Sequence, residues 1–211
     1  MFKFMLSYQH QFGKIFLQED DKMGSLYDMN EKNEKRYPFE QGEQVHSVRW
    51  LCLCALLMAV NALFSSFGIP VPGGHLYLND VVICTAAILL DPLGAFLVGG
   101  VGAFLGDMLF YPAPMFVSLV THGLQAVVIS LCAHRLFPKK PALGALIGVL
   151  LGAVIMVAGY SLGRAFVYST PEYAILKLPY QILQAVVGAV AGMLLCFGKG
   201  PMRKLFSAYM R

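Results

Sequence analysis

The stretch from His75 to His134 constrains the fold more than any other part of the chain. It is almost wholly apolar or small, yet Asp80, Asp107, His122 and Gln125 lie inside or beside its apolar runs. Such side chains are costly in hydrocarbon, so they face a bundle interior or a water-filled cavity. Small residues are the second constraint. Ala95, Gly99 and Ala103 fall four apart, and Gly102 and Gly106 make a GxxxG pair on the next row. That spacing lets membrane helices approach backbone to backbone. Together these features specify a membrane helix bundle with a polar interior.

The remainder of the chain agrees. Of the 211 residues 57% are hydrophobic and 13% charged, with mean hydropathy +0.63, about half the charge of a soluble domain. The net charge of +4 is unevenly built: up to Arg49 there are seven Lys/Arg and eight Asp/Glu, and beyond it nine basic residues against only Asp80, Asp91, Asp107 and Glu172. Basic residues beside apolar helices set topology and do not by themselves imply nucleic acid. Cys52, Cys54, Cys84, Cys132 and Cys196 all lie in apolar runs, with no CxxC and no zinc-like spacing, so they read as small hydrophobes. No disulfide framework, metal site or cofactor is expected.

Three regions follow. Residues 1–47 form a polar tail of mixed charge whose first residues are too broken to be a signal peptide. Phe2, Met5, Phe12, Ile15 and Phe16 suit a weak interfacial helix, a start at Met23 or Met29 is an equal alternative, and no function is assigned to the tail. Residues 48–198 form the membrane domain, and 199–211 a basic cytoplasmic tail. The expected spans are Trp50–Phe67, a short one from about Leu78 to Asp91-Pro92, Leu93–Phe110, Met115–Leu136, Leu143–Gly163 and Tyr173–Phe197. GIPVPGG separates the first two. Further close-packing rows are Ala55, Ala59, Ala62 and Ser66 on the first, Gly144, Gly148 and Gly152 on the fifth, and Gly188 and Gly192 on the sixth.

The fold class is thus an all-α, six transmembrane helix bundle with both termini on one side. Arg49, Arg135, Lys139, Lys140, Lys199, Arg203 and Lys204 cluster at the termini and the fourth connection, whereas the first and third connections have no Lys or Arg. The positive-inside rule puts both termini of this multi-pass protein in the cytoplasm.

In this topology polar side chains gather at the outer level. Tyr77, Asn79 and Asp80 open the second helix, and Asp107 and Tyr111 close the third. His122 and Gln125 lie within the fourth, and Tyr160 and Arg164 end the fifth. Glu172, Lys177, Gln181 and Gln184 begin the sixth, the last three on one face. Each has a structural reading too. Asp80 suits a helix cap, Asp107 a pair with a neighbouring helix, and His122 a packed core histidine. Arg164 and Lys177 suit snorkelling, and the glutamines interhelical hydrogen bonds. Their common level favours a small-molecule site with polar anchors in an apolar cleft: Asn79, Asp80, Asp107, His122, Gln125, Tyr160, Arg164, Lys177, Gln181 and Gln184. Motifs for metalloprotease, hydrolase and phosphate-loop chemistry are absent, so an ATP-driven role needs a partner.

Several runs resemble a known family. ALLMAV, LYLNDVV, AAILLDPLGAFLVGGVGAFLGDML, FVSLVTHGLQAVV and LPYQILQAVVGAVAG are similar to the substrate-binding S components of energy-coupling factor (ECF) vitamin transporters, over about Trp50 to Phe197. The branch that carries pyrimidine, pyridoxine and riboflavin-type solutes is the most similar. Asp91 departs from the family, which often has Gly before this Pro.

The resemblance implies a non-enzymatic protein that captures a vitamin or precursor outside and delivers it inward with a membrane coupling (T) subunit and two ATPases. It also implies that Ala55 and Ala59, on the stripe with Ala62, dock the coupling subunit. Two rival classes remain open on residues alone: a membrane scaffold of the cell-shape type, and an intramembrane enzyme using Asp80 and Asp107 as a carboxylate pair.

Overall fold

The computed structural model describes residues 48–137 and 140–198. The two tails lie outside the described residues, and with them the interfacial helix expected near Phe2 and the basic Lys139, Lys199, Arg203 and Lys204.

Among the described residues there are six helices and one hairpin. Helix α1 is Val48–Ser66, β1 Ile69–Val71, β2 Gly74–Leu76 and α2 Asn79–Leu89. The longer helices are α3 (Pro92–Phe110), α4 (Met115–Leu136), α5 (Pro141–Tyr168) and α6 (Pro171–Phe197). These four have the length and apolarity to cross a membrane. Helix α2 has 11 residues, about half the ~20 a bilayer requires. The expected six-helix count holds, but α2 is too short to cross alone, because the chain before it is folded into the hairpin.

That hairpin replaces the irregular connection expected at GIPVPGG. Its strands are antiparallel, with Val71 opposite Gly74, leaving Pro72 and Gly73 at the tip. Gly73 has φ +82°, and Pro followed by a positive-φ residue is the pattern of a type II turn.

The small-residue rows each meet a neighbouring helix. A Cβ on Gly102 would stand 2.9 Å from Asn61 Nδ2, and one on Gly106 2.6 Å from Ser65 Cβ, so α3 rests on α1. A Cβ on Gly99 would meet Ala126 at 2.7 Å, joining α3 to α4, and one on Gly148 the Ile129 carbonyl at 2.9 Å, joining α5 to α4. On α6, Gly188 and Gly192 let the helix lie against Asp80 and Cys84 of α2. Ala55 and Ala59 are exposed. Ala62, expected on the same docking stripe, is half-buried beside Gly106.

The apolar core sits toward the α2–α3 connection and includes Ile83, Cys84, Ala87, Ile88, Ala126, Ile129, Val149 and Ala189. Asp91 caps α3 there, its Oδ2 accepting from Leu93 N at 3.2 Å and its Oδ1 from Trp50 Nε1 at 2.7 Å. The departure at Asp91 is therefore compatible with a well-made turn. The opposite end of the bundle, under the hairpin, is where polar groups collect.

Candidate ligand-binding site

Asp80 is the centre of the buried polar network. It lies in the first turn of α2 but makes no side-chain cap there. Its two oxygens instead accept from other helices: Oδ1 from Gln125 Nε2 of α4 at 3.1 Å, Oδ2 from Gln184 Nε2 of α6 at 2.6 Å. The capping role expected as one reading of Asp80 is thus replaced by a tie between three helices. The contact is close because Gly188 has no side chain; a Cβ there would stand 2.5 Å from Asp80 Cβ. The amide oxygens continue the network. Gln184 Oε1 accepts from Tyr77 N–H at 3.1 Å, and Gln125 Oε1 lies 2.7 Å from His122 Nδ1. Asp80, His122 and Gln125 are each 1% exposed, so every polar atom among them needs a partner.

A second chain of hydrogen bonds starts at Asp107 on α3. Ser118 Oγ of α4 donates to Asp107 Oδ2, and Tyr160 O–H of α5 donates to Ser118 Oγ at 2.5 Å. Asp107 does bond to a neighbouring helix, as one reading expected. The two carboxylates hold different partners, Gln125 and Gln184 for Asp80 and Ser118 for Asp107, and no hydrogen bond joins them.

The hairpin is tied down by two cations. Arg164 Nη1 donates to Gly73 O at 2.7 Å, and Lys177 Nζ donates to His75 O. Snorkelling does not describe Lys177, which is 3% exposed. Gln181 Nε2 binds the Met156 and Val157 carbonyls at 3.3 and 3.1 Å, the interhelical role expected of it. The last turn of α5, Arg164–Tyr168, is π-helical, and the Arg164 guanidinium lies 5.3 Å from the Tyr168 ring centroid.

These elements enclose a cavity of about 230 Å³. Asn79, Asp107, His122, Tyr160, Arg164, Lys177, Gln181 and Gln184 of the expected set line it. Asp80 and Gln125 do not; they stand behind His122 and Gln184 and are hydrogen-bonded to them. Glu172 is exposed and outside it. The expectation underweighted the aromatic wall and the hairpin: Tyr77, Tyr111, Tyr168, Tyr173, Gly73 and Gly74 also line the cavity. Tyr77 and Tyr111 were legible at the outer level, and Tyr168 and Tyr173 also carry a signal, each four residues from Arg164 or Lys177 on the same helical row. The Tyr77 phenol is pushed up to about 12 by burial first, with Asp107 adding to it, so it remains a neutral O–H group. Among the described residues no three His, Cys, Asp or Glu side chains group as metal ligands.

Fold and cavity define a class: a membrane helix bundle with a solute-sized pocket under the loops at one end. The model of the family described as ECF-type riboflavin transporter, S component, matches residues 45–199, and the chain belongs to that family. It is a vitamin-type ECF transporter S component, a multi-pass plasma-membrane protein of transport and not an enzyme. It is 34% identical over 126 residues to an uncharacterized protein of Pyrococcus woesei, covering 59% of this chain and 82% of that one. It is 31% identical over 149 residues to the thiamine precursor transporter HmpT of Lactococcus lactis subsp. cremoris (strain MG1363), covering 68% and 83%. Its fold matches that of an S component of a bacterial ECF transporter with TM-score 0.56 at 20% identity, over 77% of this chain and 98% of that one. The family match decides against the scaffold and carboxylate-enzyme readings.

Proposed function

We propose that this S component captures one compact heteroaromatic vitamin or vitamin precursor in the cavity from outside the cell. A membrane coupling subunit and two ATPases then drive its release inward. The observation that carries the reading is the cavity itself: about 230 Å³, walled by tyrosines and closed by buried polar side chains. Aromatic walls suit a flat ring, and a few fixed polar groups in an apolar pocket set orientation. The volume falls below the ~300–1,000 Å³ of most ligand pockets. That favours a one-ring solute of the pyrimidine or pyridoxine kind over the three-ring riboflavin in the family description. Resemblance to a thiamine precursor transporter points the same way.

In this reading Asn79, Asp107, His122, Tyr160, Arg164, Lys177, Gln181 and Gln184 contact the solute, and Asp80 and Gln125 orient them. Exposed Ala55 and Ala59 offer a small-residue face to the coupling subunit. The distribution of Lys and Arg supports cytoplasmic termini, which puts the cavity end outside.

The test is a thermal-shift screen of the purified full chain against pyrimidine precursors, pyridoxine and riboflavin. A one-ring solute at a hundredfold excess over its Kd is expected to add about 2.7 kcal/mol to stability. Riboflavin as the sole hit overturns the size argument. A flat panel on folded protein overturns the capture reading.

A further inference from the structure

The buried network determines which face of His122 the cavity receives. Gln125 and Gln184 each place an amide nitrogen on a different oxygen of Asp80. A carboxylate only accepts, so each amide must turn its NH2 toward Asp80 and its carbonyl away. For Gln125 the carbonyl then meets His122 Nδ1 at 2.7 Å. A carbonyl cannot donate, so Nδ1 must carry the proton. For Gln184 the carbonyl meets the Tyr77 N–H, which holds that amide in the same sense.

We infer that Asp80, through Gln125, holds His122 as the Nδ1–H tautomer, so that its Nε2 faces the cavity as a hydrogen-bond acceptor selecting solutes with an N–H donor. No hydrogen bond within the described residues ends on His122 Nε2, and His122 lines the cavity. Two neighbouring groups extend the accepting wall. Asn79, also lining the cavity, has its Oδ1 buried without a partner. Asp107 has its Oδ2 engaged by Ser118, leaving Oδ1 as a further acceptor. Donors line the same cavity, where Arg164 Nε and Tyr168 O–H are buried and unpaired. A compact ring with an exocyclic amino group toward His122 and an oxygen toward Arg164 and Tyr168 satisfies both sets. Asp80 is a positioning residue here, since it reaches the solute only through Gln125. The inference rests on the proposed capture role for the choice of solute, but the tautomer stands independently of it.

Two measurements on the full chain in lipid nanodiscs test it. With 15N-labelled histidine, the His122 signals, assigned by their loss in His122→Phe, are expected to show a protonated Nδ1 and a bare Nε2. A protonated Nε2 in the wild-type protein overturns the inference. In Asp80→Asn one glutamine must turn. Gln184 is held by Tyr77, so Gln125 turns and an Nε2–H form should appear; an unchanged spectrum in that folded variant removes Asp80 from the role. The second measurement compares 4-amino-2,5-dimethylpyrimidine with 2,4,5-trimethylpyrimidine, which replaces the amine by a methyl group. The amine is expected to bind roughly 10- to 100-fold more tightly, the cost of an unpaired buried acceptor, with the ratio falling toward one in His122→Phe. Equal binding to the wild-type protein overturns the selection. If neither probe binds, the one-ring reading of the cavity fails, and the nitrogen signals still decide the state of His122.

Discussion

The two ends of the bundle bury polar side chains in different ways. At the α2–α3 connection the polar groups complete one another. Trp50 Nε1 bonds to Asp91, Ser130 Oγ donates to the Leu90 carbonyl at 2.7 Å, and His134 Nε2 lies 3.0 Å from the same oxygen. At the cavity end the network is equally dense around Asp80 but unfinished at its rim. Of the five buried side-chain atoms without a partner among the described residues, three belong to cavity-lining Asn79, Arg164 and Tyr168. Buried polar atoms in native structures are nearly always paired. The first end therefore uses polarity to close a turn, and the second leaves some of it unpaired around the cavity.

Breaking that contrast should be easiest where α6 touches Asp80. Gly188→Leu would place its Cβ 2.5 Å from Asp80 Cβ and 3.1 Å from the Asp80 backbone. Overpacking of this kind costs roughly 1–3 kcal/mol. It should abolish solute binding and lower the melting temperature; unchanged calorimetric affinity would mean that Asp80 does not organise the site. Gln184→Leu comes next, leaving Asp80 Oδ2 and the Tyr77 N–H without their partner. Each unsatisfied group costs roughly 1–3 kcal/mol, so denaturation midpoint and affinity should fall together.

Lys177→Met frees the His75 carbonyl that ties the hairpin to α6. Affinity should drop about tenfold, in line with one lost charged hydrogen bond of ~1.5 kcal/mol, chiefly through faster dissociation. A stopped-flow measurement showing an unchanged off-rate would mean the hairpin does not help retain the solute. The smallest effect sharpens the comparison most. Ser130→Ala removes one hydrogen bond at the closed end and should cost about 1 kcal/mol of stability while leaving solute affinity unaltered. A matching loss of affinity would show that the two ends are coupled.

Much of the helical frame was legible. Rows of small residues at four-residue spacing became the contacts of α3, α5 and α6 with their neighbours, because only small side chains permit that approach in lipid. Polar residues interrupting apolar runs marked the site level, because their cost in hydrocarbon leaves few alternatives to an interior position. The partnerships were less legible. Asp80 is equally suited to a cap or to an interior tie, and only the position of Gln125 and Gln184, on helices 45 and 104 residues away in sequence, settles which. Ala62 belongs by spacing to the stripe of Ala55 and Ala59, and only the fold shows that α3 approaches it at Gly106.

By itself the sequence determined a membrane bundle, the number and order of its helices, the close-packing faces and the level at which polar side chains gather. These depend on local composition and periodicity, which a single chain carries openly. The tertiary structure alone decided the hairpin over the cavity, the π-helical turn that brings Arg164 beside Tyr168, and the division of the polar set into residues that line the cavity and residues that stand behind it. Those depend on hydrogen-bond direction between distant segments, and direction exists only once the helices have been brought together.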